Sequence, residues 1–284
     1  MITIAQKSGT RSIVIAGCGI RLEQPYELAS GIVITPEVPV LSPDVVAKSC
    51  RNFADYIAVI SGQKIQSFAI EIHPSLDSPD ELTAKAWNAL WDFYLLSVAT
   101  HTPCFSLYSY AVGAEPVLTA ANRTIVLRPI ESLKLVSESS LIWASKHREK
   151  FDKLIGNSLF SRAMRCYGNA QQLIDFDTRI MLLWSGIEGL LSVDGELNRR
   201  LALYTALLMD GSHTEKMQWF NDVKKAYGIR SKAVHGSSLD AKLLQEGYLQ
   251  AARILSNLLA RCVELGRIPS PTELDAQAVA GNLE

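Results

Sequence analysis

The sequence predicts an α+β N-terminal domain followed by an all-α helical bundle. Two observations carry this. Before about residue 137, short apolar runs bounded by Gly or Pro alternate with longer stretches whose apolar residues recur at helical spacing. After it the strand-like runs stop and only helical periods remain. A third observation sets the scale: 284 residues, 48% of them apolar, are enough to bury a sizeable core against the entropy cost of folding.

Taken in order, Ser12 to Gly19, Gly31 to Val38 and Cys104 to Val112 read as strands, being short and bounded by breakers. Gln66 to Ile72 and Arg123 to Ile130 alternate more cleanly, with Phe68, Ile70 and Ile72 on one face and Ile125 and Leu127 on another. Two helices interrupt them. Pro43 to Ser61 lines up Val46, Cys50, Phe53, Ile57 and Ile60, and Pro79 to Val98 lines up Trp87, Leu90, Trp91, Tyr94, Leu95 and Val98. Residues 1–139 are thus assigned to an α+β domain whose role the residues leave open. Residues 140–265 carry predicted helices at Glu138 to Leu154, Ser158 to Leu173, Asp175 to Ser192, Glu196 to Met209, Thr214 to Tyr227 and Asp240 to Glu264. Ser212 with Glu215 makes a capping box, and Asp194-Gly195 and Asp210-Gly211 supply turns. Residues 266–284, with two prolines and acid, read as an exposed tail.

Composition narrows the function classes. The most apolar run, Ala86 to Ala99, holds Asp92 and falls short of a bilayer span, so no membrane partner is expected. The start lacks the pattern of an export signal, and the five cysteines include no CxxC pair; both point to a cytoplasmic protein with reduced thiols. His73, His101, His147 and His213 have no partner at ligand spacing, and Gly17-x-Gly19 lacks the third glycine of a dinucleotide loop. Neither a metal nor a cofactor is expected. Net charge is −1 overall but −3 over residues 1–139, +4 over 140–265 and −2 in the tail. The basic second half suits a polyanionic partner.

Chemistry concentrates there. Glu188 shares or borders the apolar stripe of its helix, where a carboxylate needs a cationic partner; Arg200, flanking the buried stripe of the next helix, is a candidate. Further on, Tyr227 to Gly236 reads YGIRSKAVHG, with Arg230 and His235 five positions apart. A guanidinium holds phosphate through paired hydrogen bonds, and an imidazole exchanges protons at working pH; metal-free RNA cleavage needs both. On a continuous helix, however, a five-residue offset rotates two side chains by about 140°. Convergence needs a break near Gly228 or Gly236, or a second subunit that completes the cleft.

The stretch YGIRSKAVHG resembles the signature of the HEPN superfamily, in particular the Apea-like HEPN domains. Upstream, WSGIEGLL at Trp184 to Leu191 is similar to the family's earlier helix with its acidic residue, and ELNRRLALYTALL at Glu196 to Leu208 resembles the next helix. The resemblance covers roughly residues 155–265. It implies an all-α HEPN-like bundle that forms a homodimer and acts as a metal-independent endoribonuclease in a toxin-like or antiviral defence role. Carried onto this chain, Arg230 contacts the scissile phosphate, His235 is the general acid or base, Ser231 bonds phosphate or caps a turn, and Glu188 orients the pair. Lys224, Lys225, Lys232 and Arg200 are candidates for RNA binding. A related branch places a Tyr two residues after the His, where this chain has Ser237, so a tyrosine-modification switch is not expected. The N-terminal domain is left as a seat for a regulatory protein or trigger. A second reading stands beside the nuclease: a catalytically inactive HEPN-like module that binds RNA or protein, or acts as a scaffold.

Overall fold

The computed structural model describes residues 4, 7, 9–74, 79–121, 133–235 and 239–280, and the chain divides into two compact units, Met1–Arg148 and Glu149–Glu284. The expected strand at Arg123 to Ile130 lies outside the described residues.

In the first unit the order is β1 (Ser12–Cys18), β2 (Ile20–Arg21), β3 (Tyr26–Ala29), β4 (Ile32–Thr35), α1 (Pro43–Ser49), α2 (Phe53–Gln63), β5 (Phe68–Ile72), α3 (Pro79–Thr100), β6 (Phe105–Val112), β7 (Val117–Ala120) and β8 (Lys134–Leu135). Six strands form an antiparallel sheet in the order β3-β4-β5-β1-β6-β7, while β2 and β8 pair in parallel. β1 is central and buried throughout because both neighbours and both faces are covered: Ile13 opposes Ile72, Ile15 opposes Ile70, and Val14 opposes Tyr110. Alternation sorts its side chains. At Gly17 an added Cβ would lie 2.3 Å from the Phe93 ring of α3, whereas Ala16 and Cys18 pack with Val46 of α1, Val59 of α2, Tyr108 and Leu118.

Two expectations change in detail. The helix expected from Pro43 to Ser61 is two helices, because Cys50 turns extended to bridge Leu118 of β7 and Asn52 starts a new helix by accepting the Asp55 N–H at 2.9 Å. The strand expected to Val38 stops at Thr35, ahead of Pro36, and forms a hairpin with β3, an element the sequence reading did not contain. Asp92, the charge inside the most apolar helix, is fully buried and held by Arg148 through two hydrogen bonds of 2.8 and 3.1 Å.

The helix α4 (Glu138–Ile155) runs across the division between the units. The second unit continues with α5 (Ser158–Ala170), α6 (Phe176–Leu191), α7 (Leu197–Leu208), α8 (His213–Val234), α9 (Ala241–Leu265) and α10 (Pro271–Ala280). α9 packs on α5, α6, α7 and α8, and its apolar face of Ile254, Leu255, Leu258, Leu259 and Cys262 is almost wholly buried. Glycines set the closest approaches: a Cβ at Gly186 would sit 2.9 Å from both Cys166 of α5 and Leu255 of α9. α8 is longer than its expected end at Tyr227 and passes Gly228 without interruption. The expected exposed tail contains α10, whose Leu274 is buried and whose Asp275 accepts a 2.7 Å hydrogen bond from Tyr204 of α7.

Candidate functional site

The residues of the Arg-x4-His motif sit on the last turns of α8, and α6 crosses beside them. The site is built outward from Trp184, a fully buried side chain of α6. Its ring meets Tyr227 of α8 edge to face, with centroids 5.2 Å apart and planes at 88°. One turn later on the same helix, the Arg230 guanidinium carbon lies 5.3 Å from the Tyr227 centroid, a cation–π contact that steers the side chain toward α6. There it meets Glu188, one turn after Trp184. Arg230 Nη2 is 3.1 Å from Glu188 Oε1, and each side chain keeps 23% of its surface exposed.

That pair is close but not saturated. The Nη2 proton is not directed at Oε1, and both Glu188 Oε1 and Arg230 Nε are buried atoms without a hydrogen bond among the described residues. A guanidinium held by proximity and an aromatic face retains donors for another oxyanion. A shallow groove of about 600 Å³, formed by residues 194–199 and Tyr227, opens beside this cluster.

His235 is the C-cap of α8, with φ −86° and ψ 11°, and its backbone N–H donates to the Ser231 carbonyl at 3.1 Å. Its imidazole is exposed. α8 runs unbroken past Arg230 to Val234, so the pair keeps the roughly 140° offset of a continuous helix. Arg230 faces the bundle through Glu188, and His235 faces solvent. Ser231 is half-buried and contributes its carbonyl to the cap.

Arg200 is not the partner of Glu188. Its Nε and Nη2 bond the Tyr204 hydroxyl at 3.1 and 2.5 Å, and its Nη atoms lie 3.4 Å from Asp194 and Asp275. The cause is the helix α10, which brings Asp275 to α7 from a segment whose sequence reads as tail. Of the three lysines, Lys225 pairs with Glu246 of α9 at 2.9 Å, Lys224 sits 5.4 Å from the Phe220 ring, and Lys232 is exposed on the final turn. The structure therefore brings together Glu188 and Arg230, leaves His235, Ser231 and Lys232 on the adjoining turn, and places Arg200 in a separate network. Tyr227 belongs to the site although the sequence reading gave it no role; its position three residues ahead of Arg230, and so on the same helix face, is the signal that marks it.

Among the described residues no group of three His, Cys, Asp or Glu gathers as a metal site, and no helix is long and apolar enough to cross a membrane. Comparison with family models, curated proteins and solved structures gives no match.

Proposed function

We propose that the chain is a metal-independent endoribonuclease of the HEPN type, acting in a toxin-like or defence role, with Arg230 and His235 as its reacting pair. The observation that carries this reading is the Glu188–Arg230 contact. A carboxylate on α6 and a guanidinium on α8 lie 3.1 Å apart, part-exposed, one turn before an exposed imidazole. In this chemistry a base takes the proton of a ribose 2′-hydroxyl, and that oxygen attacks the adjacent phosphorus. The bond to the 5′-oxygen breaks, and the leaving oxygen takes a proton from the acid. The products are a 2′,3′-cyclic phosphate and a 5′-hydroxyl. Arg230 stabilises charge on the non-bridging oxygens, and Glu188 and Tyr227 fix its guanidinium.

The offset between Arg230 and His235 supports a composite site. Two chains related by a twofold axis each supply the residue the other lacks, so the working form is a homodimer. The RNA strand then runs past Lys232 and the groove at residues 194–199, and the N-terminal unit receives the trigger or regulatory protein. The assay is incubation of wild type and His235→Ala with end-labelled tRNA and mRNA in excess EDTA. Fragments ending in 2′,3′-cyclic phosphate from wild type alone are the expected result; equal cleavage by both proteins would sink the assignment of His235.

A second reading is favoured by the same contact seen as a structural ion pair: an inactive module that binds RNA or protein. It is supported if wild type binds RNA, cleaves none in any condition that orders the dimer, and His235→Ala binds as well as wild type.

A further inference from the structure

Another guanidinium of this unit, unlike that of Arg230, has no counter-ion among the described residues. Arg179, in the first turn of α6, is only 7% exposed. Its side chain leans back along the helix, and Nε donates to the Leu173 carbonyl at 2.9 Å. The guanidinium carbon is 5.0 Å from the Phe176 centroid and 5.1 Å from that of Tyr248 on α9, and the two rings are 5.7 Å from each other. These three lengths make a nearly equilateral triangle, so the rings share one side of the guanidinium and do not sandwich it.

What is missing is an acceptor for Nη1 and Nη2. Among the described residues neither atom has a hydrogen bond and no carboxylate pairs with Arg179. Asp177, the nearest acid along the chain on the same turn, accepts the Thr178 N–H at 2.6 Å instead. The Tyr248 hydroxyl donates to Gln171, and burial pushes its phenol up, with Arg179 opposing, so it supplies no negative charge near neutrality. Neither Nη atom is fully enclosed, so the aromatic faces satisfy the charge while the in-plane donors stay open to solvent and to a ligand. Two parallel N–H groups in a fixed fork match two oxygens of a tetrahedral or planar oxyanion.

A Cβ at Gly247 of α9 would lie 2.7 Å from Ile229 and 3.2 Å from Ile180, so the residue after Arg179 and the residue before Arg230 meet at one glycine. Along α6, nine residues separate Arg179 from the Arg230 partner Glu188, which turns the two side chains to opposite faces of the helix, so the Arg179 edge is an oxyanion position separate from Arg230.

We propose that Arg179 is the floor of a phosphate-binding site, its Nη edge taking two phosphate oxygens while Phe176 and Tyr248 hold its plane. The phosphate comes either from a free ion or from an RNA strand; the second source rests on the ribonuclease reading above.

The test uses the full chain and two probes. Inorganic phosphate is titrated by ³¹P NMR, and a single-stranded 2′-O-methyl oligoribonucleotide, which cannot be cleaved, is titrated over a series of salt concentrations. Arg179→Met and Arg179→Lys are compared with wild type, with circular dichroism checking that each folds; the Lys variant keeps the charge if the Met variant does not fold. A loss of about tenfold in phosphate affinity on Arg179→Met, and a smaller loss on Arg179→Lys, is expected. If the phosphate belongs to RNA, Arg179→Met also weakens the oligonucleotide several-fold and lowers the salt slope by about one. A change for inorganic phosphate alone assigns the site to the free ion. The proposal is overturned if the variants bind both probes as wild type does, or if wild type binds neither. Because no arm requires cleavage, failure of the nuclease assignment shows in the tRNA assay and leaves this result readable.

Discussion

Asp92 and Glu188 are both carboxylates on helices that bury most of one face, and the chain treats them differently. Asp92 is 1% exposed at its side chain and receives two directed hydrogen bonds from Arg148, so it is a completed pair. Removing it takes two directed hydrogen bonds from a mostly buried guanidinium, and Asp92→Ala should cost about 3 kcal/mol in urea unfolding, with the double variant Asp92→Leu/Arg148→Met costing clearly less than the sum of the single changes. An Asp92→Ala cost under about 0.5 kcal/mol would show the pair to be idle. Glu188 keeps one oxygen without a hydrogen bond and nearly a quarter of its surface open. A double-mutant cycle of Glu188→Gln and Arg230→Gln should give a coupling of about 1 kcal/mol or less in stability, the value for a part-exposed pair. The sequence made it legible that Glu188 would need a cation, since its position on an apolar stripe is visible from spacing. Which cation it takes is not, because Arg200 and Arg230 both lie on neighbouring helices and only the placement of α10, which occupies Arg200, separates them.

At the scale of elements, helix starts are the most readable feature because a cap is a local, side-chain event. Ser212 and Glu215 form the capping box read from their spacing: the Ser212 hydroxyl accepts the Glu215 N–H at 3.4 Å, and Glu215 accepts the Ser212 N–H at 2.7 Å. Ser212→Ala should lower stability by about 1 kcal/mol at neutral pH, read from the urea midpoint. The pH sign follows from Glu215. Its bonds to Ser212 hold its carboxyl below the ordinary value of 4.5, so its stabilisation is present above that pH and is lost as pH falls through the depressed folded value. The gap between wild type and Glu215→Gln therefore narrows in acid; a gap that stays constant down to pH 3, taken as about the lower end of the titration, contradicts the box. Helix ends read less well. Gly228 looked like a stop, yet α8 continues because Val223, Ala226 and Ile229 are buried and outweigh the roughly 1 kcal/mol that an interior glycine costs. Cores that close on a glycine are invisible to periodicity altogether. Gly186→Ala pushes a methyl to 2.9 Å from Cys166 and Leu255 and should destabilise by about 1–3 kcal/mol, whereas Gly228→Ala, with open space around it, should be neutral or stabilising.

For the molecule as a whole, the change from mixed strands to helices was visible in the sequence, and so was the concentration of Arg and Lys in the second half. The six-strand order was not, because β3 and β7 are four-residue strands with little periodicity and their pairing is decided by partners far along the chain. The cysteines show the same dependence on tertiary burial. Burial pushes Cys18 and Cys262 up to about 12 and Cys104 higher still, so they stay as thiols at any ordinary pH. Iodoacetamide at pH 8, about half a unit below an ordinary thiol's value, should label these three far more slowly in the native chain than in guanidinium chloride; rapid labelling of any of them in the native state would mean the core opens.

The unbroken course of α8 has a kinetic reading. If Arg230 and His235 act across a pair of chains, the four residues between them set the molecularity of the reaction. In dilute solution the cleavage rate proposed for the native chain would then rise with the square of its concentration. Deleting Lys232 would bring the imidazole to within about 40° of the guanidinium on the same helix, and the rate of that shortened chain would rise only in proportion to concentration.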